Sequence, residues 1–222
     1  MSTQAEVVAV DLEGTLTAGE TWRGIRAYQK ANGGAWSAHW MMVRFAPAYA
    51  RVKLGRLPRP IFNARWVTVQ ARYLRGMSAE AVHAMIDWVM DNETWPARRA
   101  TVIAELDAHR AAGRRVVVVS GAYQPVVEAF GARINAVACF GTPMEWDAAG
   151  RLTGRLATSV NTHEHKVAAL QNFLNGAPLV AAYGDTHADI PMLELAREPV
   201  AVHPDPELRA AAQARGWRIL DD

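Results

Sequence analysis

An α/β fold, with a parallel sheet and an all-helical insert, is predicted by three features of this sequence. Short apolar runs without polar alternation recur at residues 7–10, 115–119 and 178–183, the pattern of strands buried on both faces. Segments with apolar residues at helical spacing alternate with these runs from residue 96 onward, as in strand–helix–strand units. Residues 18–92 contain no strand-like run at all.

In chain order, Val7 to Val10 form a β-branched-rich run too short for a stable helix, and it opens directly onto Asp11, Glu13 and Gly14. In the insert, Val82, Met85, Ile86, Val89 and Met90 fall on one face of a helix that Ser78 would cap, and Trp66, Val69 and Tyr73 mark a helix before it. Gly33-Gly34 and residues 55–60 break the insert into pieces. Its five tryptophans, Trp22, Trp36, Trp40, Trp66 and Trp88, read as packing rather than as a ligand platform. Pro96 opens a helix through Val102, Ile103 and Leu106 to Gly113. After the strand at 115–119, Pro125 begins a short helix to Phe130 and Gly131, residues 137–140 form a weaker strand, and residues 145–156 form a β-hairpin. A helix over 163–174, the strand at 178–183, and a closing strand (199–202), helix (206–215) and strand (218–220) complete the sheet.

Composition narrows the classes. The 222 residues suffice for one α/β domain with a modest insert, and half are hydrophobic. Lys and Arg number 24 against 22 Asp and Glu, with Arg spread along the chain, which argues against a nucleic-acid or membrane surface. The single cysteine, Cys139, permits no intrachain disulfide and no thiolate metal site. With no signal-like N-terminus and no run of membrane-spanning length, the expectation is a cytoplasmic protein.

Strand ends carry the chemistry. Asp11 and Glu13 follow one strand, Ser120 and Gly121 another, Asp185 and Asp189 a third, and parallel strands bring their carboxyl ends to one edge. Acids clustered at such an edge require a cation, and an oxygen-only ligand set suits Mg²⁺. Lys166 adds a fixed positive charge. Together these groups suit metal-assisted phosphoryl transfer.

In motif order the chain resembles the haloacid dehalogenase (HAD) superfamily, in particular the phosphoserine-phosphatase-like branch, subfamily IB. DLEGTLT resembles the family's DxDGTLT, VVVVSG its second motif, Lys166 stands at the lysine of its third, and GDTHAD resembles GDxxxD. The resemblance implies a Rossmann-like core over residues 1–17 and 93–222 and a helical cap over 18–92. It implies Asp11 as a nucleophile forming an aspartyl-phosphate, and Glu13 as acid and base, with its carbonyl joining Asp11 and Asp185 on Mg²⁺. Ser120 and Gly121 would hold phosphate oxygens, Lys166 would bridge phosphate and nucleophile, and Asp189 would complete the metal site and orient Lys166. Glu20 and Arg51 resemble the pair that binds the amino and carboxylate groups of phosphoserine.

Two departures stand out. The family usually has Asp where this chain has Glu13, and Ala188 stands where close phosphoserine phosphatases have Asn. Activity expectations therefore include hydrolysis of a small phosphorylated metabolite, phosphoserine first, phosphotransfer to a small alcohol such as homoserine, and an impaired binding protein. His163 and His165 are expected in surface or supporting positions, and His187 along the pocket.

Overall fold

The computed structural model describes residues 5–33, 35–57 and 59–221. Its centre is a six-stranded parallel sheet in the order β3-β2-β1-β6-β7-β8, formed by β1 (Val7–Val10), β2 (Arg115–Tyr123), β3 (Ala138–Thr142), β6 (Leu179–Gly184), β7 (Glu198–Val202) and β8 (Arg218–Leu220). β1 lies inside the sheet, between β2 and β6. Val7 to Val10 pair with Arg115 to Val118 on one side and with Leu179 to Tyr183 on the other, and all four side chains are buried. This is why β1 reads as an unbroken apolar run.

Alternation sorts the two faces. Val8, Val10, Val116, Val118, Ala181 and Tyr183 join one apolar cluster, while Val7, Ala9, Val117, Val119 and Ala182 join another. α5 (Ala100–Ala111) and α6 (Gln124–Arg133) contribute to the first cluster; α7 (Glu164–Leu174), α8 (Ile190–Leu193) and α9 (Pro206–Arg215) contribute to the second. β4 (Met144–Trp146) and β5 (Leu152–Leu156) make the expected hairpin.

Between β1 and α5 run four helices: α1 (Thr21–Ala31), α2 (Ala35–Lys53), α3 (Arg59–Arg72) and α4 (Ala79–Val89). Ser78 caps α4, its hydroxyl accepting from Ala81 N–H at 3.4 Å. Gly34 and Pro58, at the two expected breaks, lie outside the described residues, as do the N-terminal residues through Gln4 and the side chain of Trp36. The insert is not a detached body. Ile25 of α1, Ala71 and Leu74 around the end of α3, and Val82, Met85 and Ile86 of α4 belong to the same apolar cluster as the sheet. Only α2 and α3 build a separate one, in which Phe45 and Trp66 are buried beside Trp22, Phe62 and Tyr73. The hairpin adds a strap, since Gly76 N–H donates to Leu152 O at 2.8 Å and Leu152 N–H to Met77 O at 2.9 Å.

Two boundaries differ from the sequence reading. Helix α5 begins at Ala100 rather than near Pro96, because the backbone before it is committed elsewhere: Arg98 pairs with Thr17, and Arg99 N–H donates to Leu16 O at 2.8 Å. α4 passes directly into a π-helical turn, Met90–Thr94, which buries Met90 and Thr94 and turns the Thr94 carbonyl to the Thr17 hydroxyl at 2.6 Å.

Candidate active site

The parallel register carries Asp11, the residue after β1, and Asp185, the residue after β6, to the same edge, with Asp11 N–H donating to Tyr183 O at 3.0 Å. Asp189 ends a 3₁₀ turn, His187–Asp189, that brings its carboxylate back under the strand end. Its Oδ2 accepts from Thr186 N–H and the Thr186 hydroxyl, both at 3.1 Å, and from Asp185 N–H at 3.3 Å. A Cβ on Gly184 would lie 2.5 Å from Asp189 Cβ, so only glycine lets the strand run this close.

Lys166, in the first turn of α7, is buried between two of these acids. Its Nζ donates to Asp11 Oδ1 at 2.5 Å and to Asp189 Oδ1 at 2.6 Å. Asp185 has no such partner; its Oδ1 accepts from the Thr15 hydroxyl at 3.3 Å. Gly14 closes the loop over it with φ +91°, and a Cβ there would sit 1.9 Å from Asp185 Oδ2.

Asp11, Asp185 and Asp189 each present an oxygen within 4.8 Å of the others, and Lys166 is the cation in contact with them. The electrostatics follow from that imbalance. Burial, reinforced by Asp189, pushes the Asp11 carboxyl up to about 7 despite Lys166. Burial and the negative neighbours Asp11 and Asp189 raise Asp185 well above the carboxylate range. Burial works against the charge on Lys166, but Asp11 and Asp189 outweigh it and hold the ammonium more firmly than usual. Buried carboxylates in excess of cations, offering oxygen only, are the donor set a hard divalent ion fits.

Glu13 reaches α1 while still acting electrostatically on Asp11 and Lys166. Its Oε1 accepts from Thr21 N–H, the first residue of α1, at 2.6 Å. The longer side chain therefore reaches a helix N-terminus, where a carboxylate is favoured. Burial nonetheless raises its pKa, with Thr21 opposing and Glu20 adding to the rise. Glu20 is the N-cap residue of α1; its N–H donates to Glu93 Oε1 at 3.2 Å, and its carboxylate pairs with Arg23 at 3.3 Å. Arg51 lies exposed near the end of α2, and among the described residues its side chain makes no contact with Glu20.

Ser120 is buried within β2, which continues beyond the expected strand through Gly121 to Tyr123; its Oγ accepts from Ala122 N–H at 3.3 Å. Asn161, Thr142, Arg99 and Tyr123 are the supporting groups that sequence reasoning missed. Asn161 Nδ2 donates to Ser120 O at 3.2 Å and to Phe140 O at 2.8 Å, tying the loop before α7 to the ends of two strands. The Thr142 hydroxyl accepts from Asn161 N–H at 3.0 Å and donates to Gly121 O at 2.8 Å. Arg99 Nε donates to Gly14 O at 2.9 Å, and the buried Tyr123 hydroxyl donates to Val67 O of α3 at 2.6 Å.

Of the histidines, His165 is exposed, while His163 and His187 are partly buried with ring centroids 5.7 Å apart. His187 is anchored by Asp205, whose Oδ2 lies 3.1 Å from its N–H and 3.2 Å from its Nδ1.

A parallel sheet whose strand ends gather three acids beside one buried lysine defines the class, an α/β protein with an acidic site at the carboxyl edge of its sheet, and sequence comparison specifies the family. The chain belongs to the haloacid dehalogenase-like hydrolase family, whose signature matches residues 8–194. It is 36% identical over 148 residues to the inhibition of morphological differentiation protein of Streptomyces azureus, covering 64% of this chain and 50% of that protein. It is 30% identical over 123 residues to a histidinol-phosphatase of Neisseria meningitidis (52% and 55% covered), and 29% identical over 140 residues to phosphoserine phosphatase SerB1 of Mycobacterium tuberculosis (61% and 44%). The chain thus spans about half the length of the curated relatives it matches. In fold it is similar to a Bordetella pertussis Tohama I protein of unknown function, with a TM-score of 0.83, 24% identity and 99% of both chains covered. It is also similar to a phosphoserine phosphatase solved as a phospho-aspartyl intermediate analogue, with a TM-score of 0.68, 18% identity, and 99% of this chain and 95% of that one covered.

Proposed function

We propose that this chain is a Mg²⁺-dependent phosphomonoester hydrolase that acts on a small phosphorylated metabolite through an aspartyl-phosphate on Asp11. The observation that carries the reading is the buried Lys166 ammonium, which bonds both Asp11 and Asp189 through their Oδ1 atoms while Asp185 presents a carboxylate oxygen within 4.8 Å of theirs. Lys166 fixes the carboxylate and places positive charge where a phosphoryl group would meet it.

Asp11 Oδ2 attacks phosphorus, the bond from phosphorus to the ester oxygen breaks, and Glu13 delivers its proton to that leaving oxygen. A pKa raised by burial keeps Glu13 protonated further toward neutrality, as a general acid requires. Glu13, now ionised, takes a proton from water as the water oxygen attacks the phosphoryl group; the bond to Asp11 breaks and inorganic phosphate leaves. Ser120 and the Gly121 amide hold the phosphoryl oxygens. Asp11, Asp185 and the Glu13 carbonyl would hold Mg²⁺, which when bound offsets the repulsion between carboxylate and phosphate dianion. Asp189 has Lys166 on one oxygen and three donors on the other, so its part is to position Lys166 and the 184–186 turn.

Phosphoserine is the leading substrate. Glu20, close enough to Glu13 to raise its pKa, is assigned to an amino group, and Arg51 to a carboxylate, which its planar fork can bind bidentately. Relatives named for phosphoserine and histidinol phosphate support a small amine-bearing phosphomonoester. The experiment is phosphate release from phosphoserine, histidinol phosphate and p-nitrophenyl phosphate, with Mg²⁺ and with EDTA, for the wild type and Asp11→Asn. Metal-dependent release that Asp11→Asn abolishes is expected. Diversion of phosphate to added homoserine would make the chain a phosphotransferase. No release from any ester by folded, Mg²⁺-binding protein would reject the catalytic reading in favour of a binding protein.

A further inference from the structure

Arg is spread along the chain, but the acids are not. Residues 21–79 hold eleven Lys and Arg and no Asp or Glu, where an even spread would place about six acids. The other thirteen Lys and Arg against all 22 Asp and Glu leave the rest of the chain at −9. A basic helical segment therefore sits on an acidic core.

Within that segment α2 carries two apolar faces. The inner one, Phe45 with Ala48 and Val52, turns to α3, where the Phe45 ring centroid lies 4.5 Å from Trp66 and 6.0 Å from Phe62. The outer one is open to solvent among the described residues: Val43 and Leu54 are 48% and 66% exposed, and Pro47 and Ala50 are exposed between them. Positions 43, 47, 50 and 54 are spaced by three and four, so at 3.6 residues per turn they form one stripe, about 160° around the helix from the inner face. Leu54 N–H donates to Ala50 O at 3.0 Å, continuing the helical turn past Lys53. Exposed basic residues line both margins, Arg44 on one and Lys53 on the other.

Charge decides what can cover this stripe. A second copy would bring two segments of eleven positive charges together, which repel. A nucleic acid would want guanidinium groups on the contact face itself, where this helix has aliphatic side chains. An anionic bilayer surface fits both parts: the apolar stripe enters the boundary between headgroups and acyl chains, and the flanking Arg and Lys reach the lipid phosphates. We propose that the outer face of α2 docks this chain on an anionic lipid surface. The sequence expectation of no membrane partner weighed the near balance of 24 basic and 22 acidic residues together with the spread of Arg; a whole-chain balance averages out the segment without acids. Among the described residues no helix is long and apolar enough to cross a membrane, so the contact is interfacial.

The test is flotation of the full chain with vesicles of phosphatidylcholine alone and of phosphatidylcholine with phosphatidylglycerol in equal parts. Wild type is expected to float with the anionic vesicles only, and less so at high salt. Arg44→Gln with Lys53→Gln should lower the partition about thirtyfold, each basic residue near the surface contributing about fivefold. Val43→Glu with Leu54→Glu should abolish flotation while circular dichroism and release from p-nitrophenyl phosphate stay at wild-type levels. Failure of the wild type to float would overturn the proposal. Equal flotation of Val43→Glu/Leu54→Glu would reduce the contact to unspecific charge adsorption and overturn it too. Binding of soluble polyglutamate in place of vesicles would assign the face to an acidic protein, and a stripe-dependent dimer in sedimentation would assign it to a second copy.

Discussion

Asp185 is the acid of the trio without an ammonium partner, and Asp185→Asn exploits that. Without metal, its charge lies within 4.8 Å of oxygens of both Asp11 and Asp189. At that separation each like-charge pair costs about 3 kcal/mol at an effective dielectric constant of ~20. Protonation caps the penalty, since burial and these neighbours already hold the Asp185 carboxyl well above its usual range. Asparagine removes the charge and keeps an oxygen for the Thr15 hydroxyl, bonded at 3.3 Å in the wild type. We predict that Asp185→Asn is about 1–3 kcal/mol more stable than the wild type in EDTA at pH 8. In Mg²⁺ the order should invert: at a thousandfold excess over Kd the wild type gains about 4.1 kcal/mol, more than the variant's advantage, while the variant gains nothing and releases no phosphate. Urea unfolding of both proteins in both buffers measures this. A variant less stable than the wild type in EDTA would refute the reasoning, because Asp185 would then stabilise the fold rather than burden it.

Three further outcomes follow from the same geometry. Because the Asp11 carboxyl is raised from 3.8 to about 7, the folded state keeps a proton that the unfolded chain has released; metal-free stability should therefore fall as pH rises from about 4 to 7, by on the order of 4 kcal/mol, read from urea midpoints in EDTA. Glu13→Gln should lower the single-turnover rate of Asp11 phosphorylation by alkyl phosphates by about 10²–10⁴ and by p-nitrophenyl phosphate far less, since its leaving group needs no proton, while the shared hydrolysis step slows alike for both; an equal loss in the phosphorylation step would remove Glu13 as the acid. Asn161→Ala leaves the Ser120 and Phe140 carbonyls without their side-chain donor and should cost about 1–3 kcal/mol in thermal unfolding, with a raised KM as Ser120 loosens; an unchanged melting temperature would show that water replaces the amide.

The strands that position the site were legible because burial on both faces leaves an unmistakable composition: the runs at Val7 and Arg115 read as strands, and the polar residues that interrupt them mark the edge. Asp11, Asp185 and Asp189 could be gathered on paper because parallel strands allow one answer about where their ends lie, whereas Lys166, on a helix, was placed beside them by the family resemblance. Groups that act through backbone atoms left no such trace. Asn161 looks like any loop asparagine until its amide is found on two strand-end carbonyls, and Arg99 like any helix-flanking arginine until it holds Gly14 O. Pro96 misled for the same reason: a good helix starter was overruled by pairing between residues 98–99 and 16–17. The reach of Glu13 to α1 depends on where that helix begins, which no periodicity fixes to the residue.

The placement of β1 has a consequence for how the protein is made. β1 leaves the ribosome before both of its sheet neighbours, which lie at residues 115–118 and 179–183. At ~5–20 residues per second, roughly ten to thirty seconds of synthesis pass before its second edge can be covered. Throughout that interval a nascent chain bearing an apolar strand waits with at least one side unpaired, and no amount of local helix formation in the insert relieves it. The insert has a wait of its own, since the hairpin that straps its base is built some seventy residues later. Stalled chains ending before and after β6 should differ sharply in protease resistance at residues 7–10, the later ones being protected. The chain order thus makes the edge that gathers Asp11, Asp185 and Asp189 wait for β6, and the expressed yield sensitive to whatever shields β1 meanwhile.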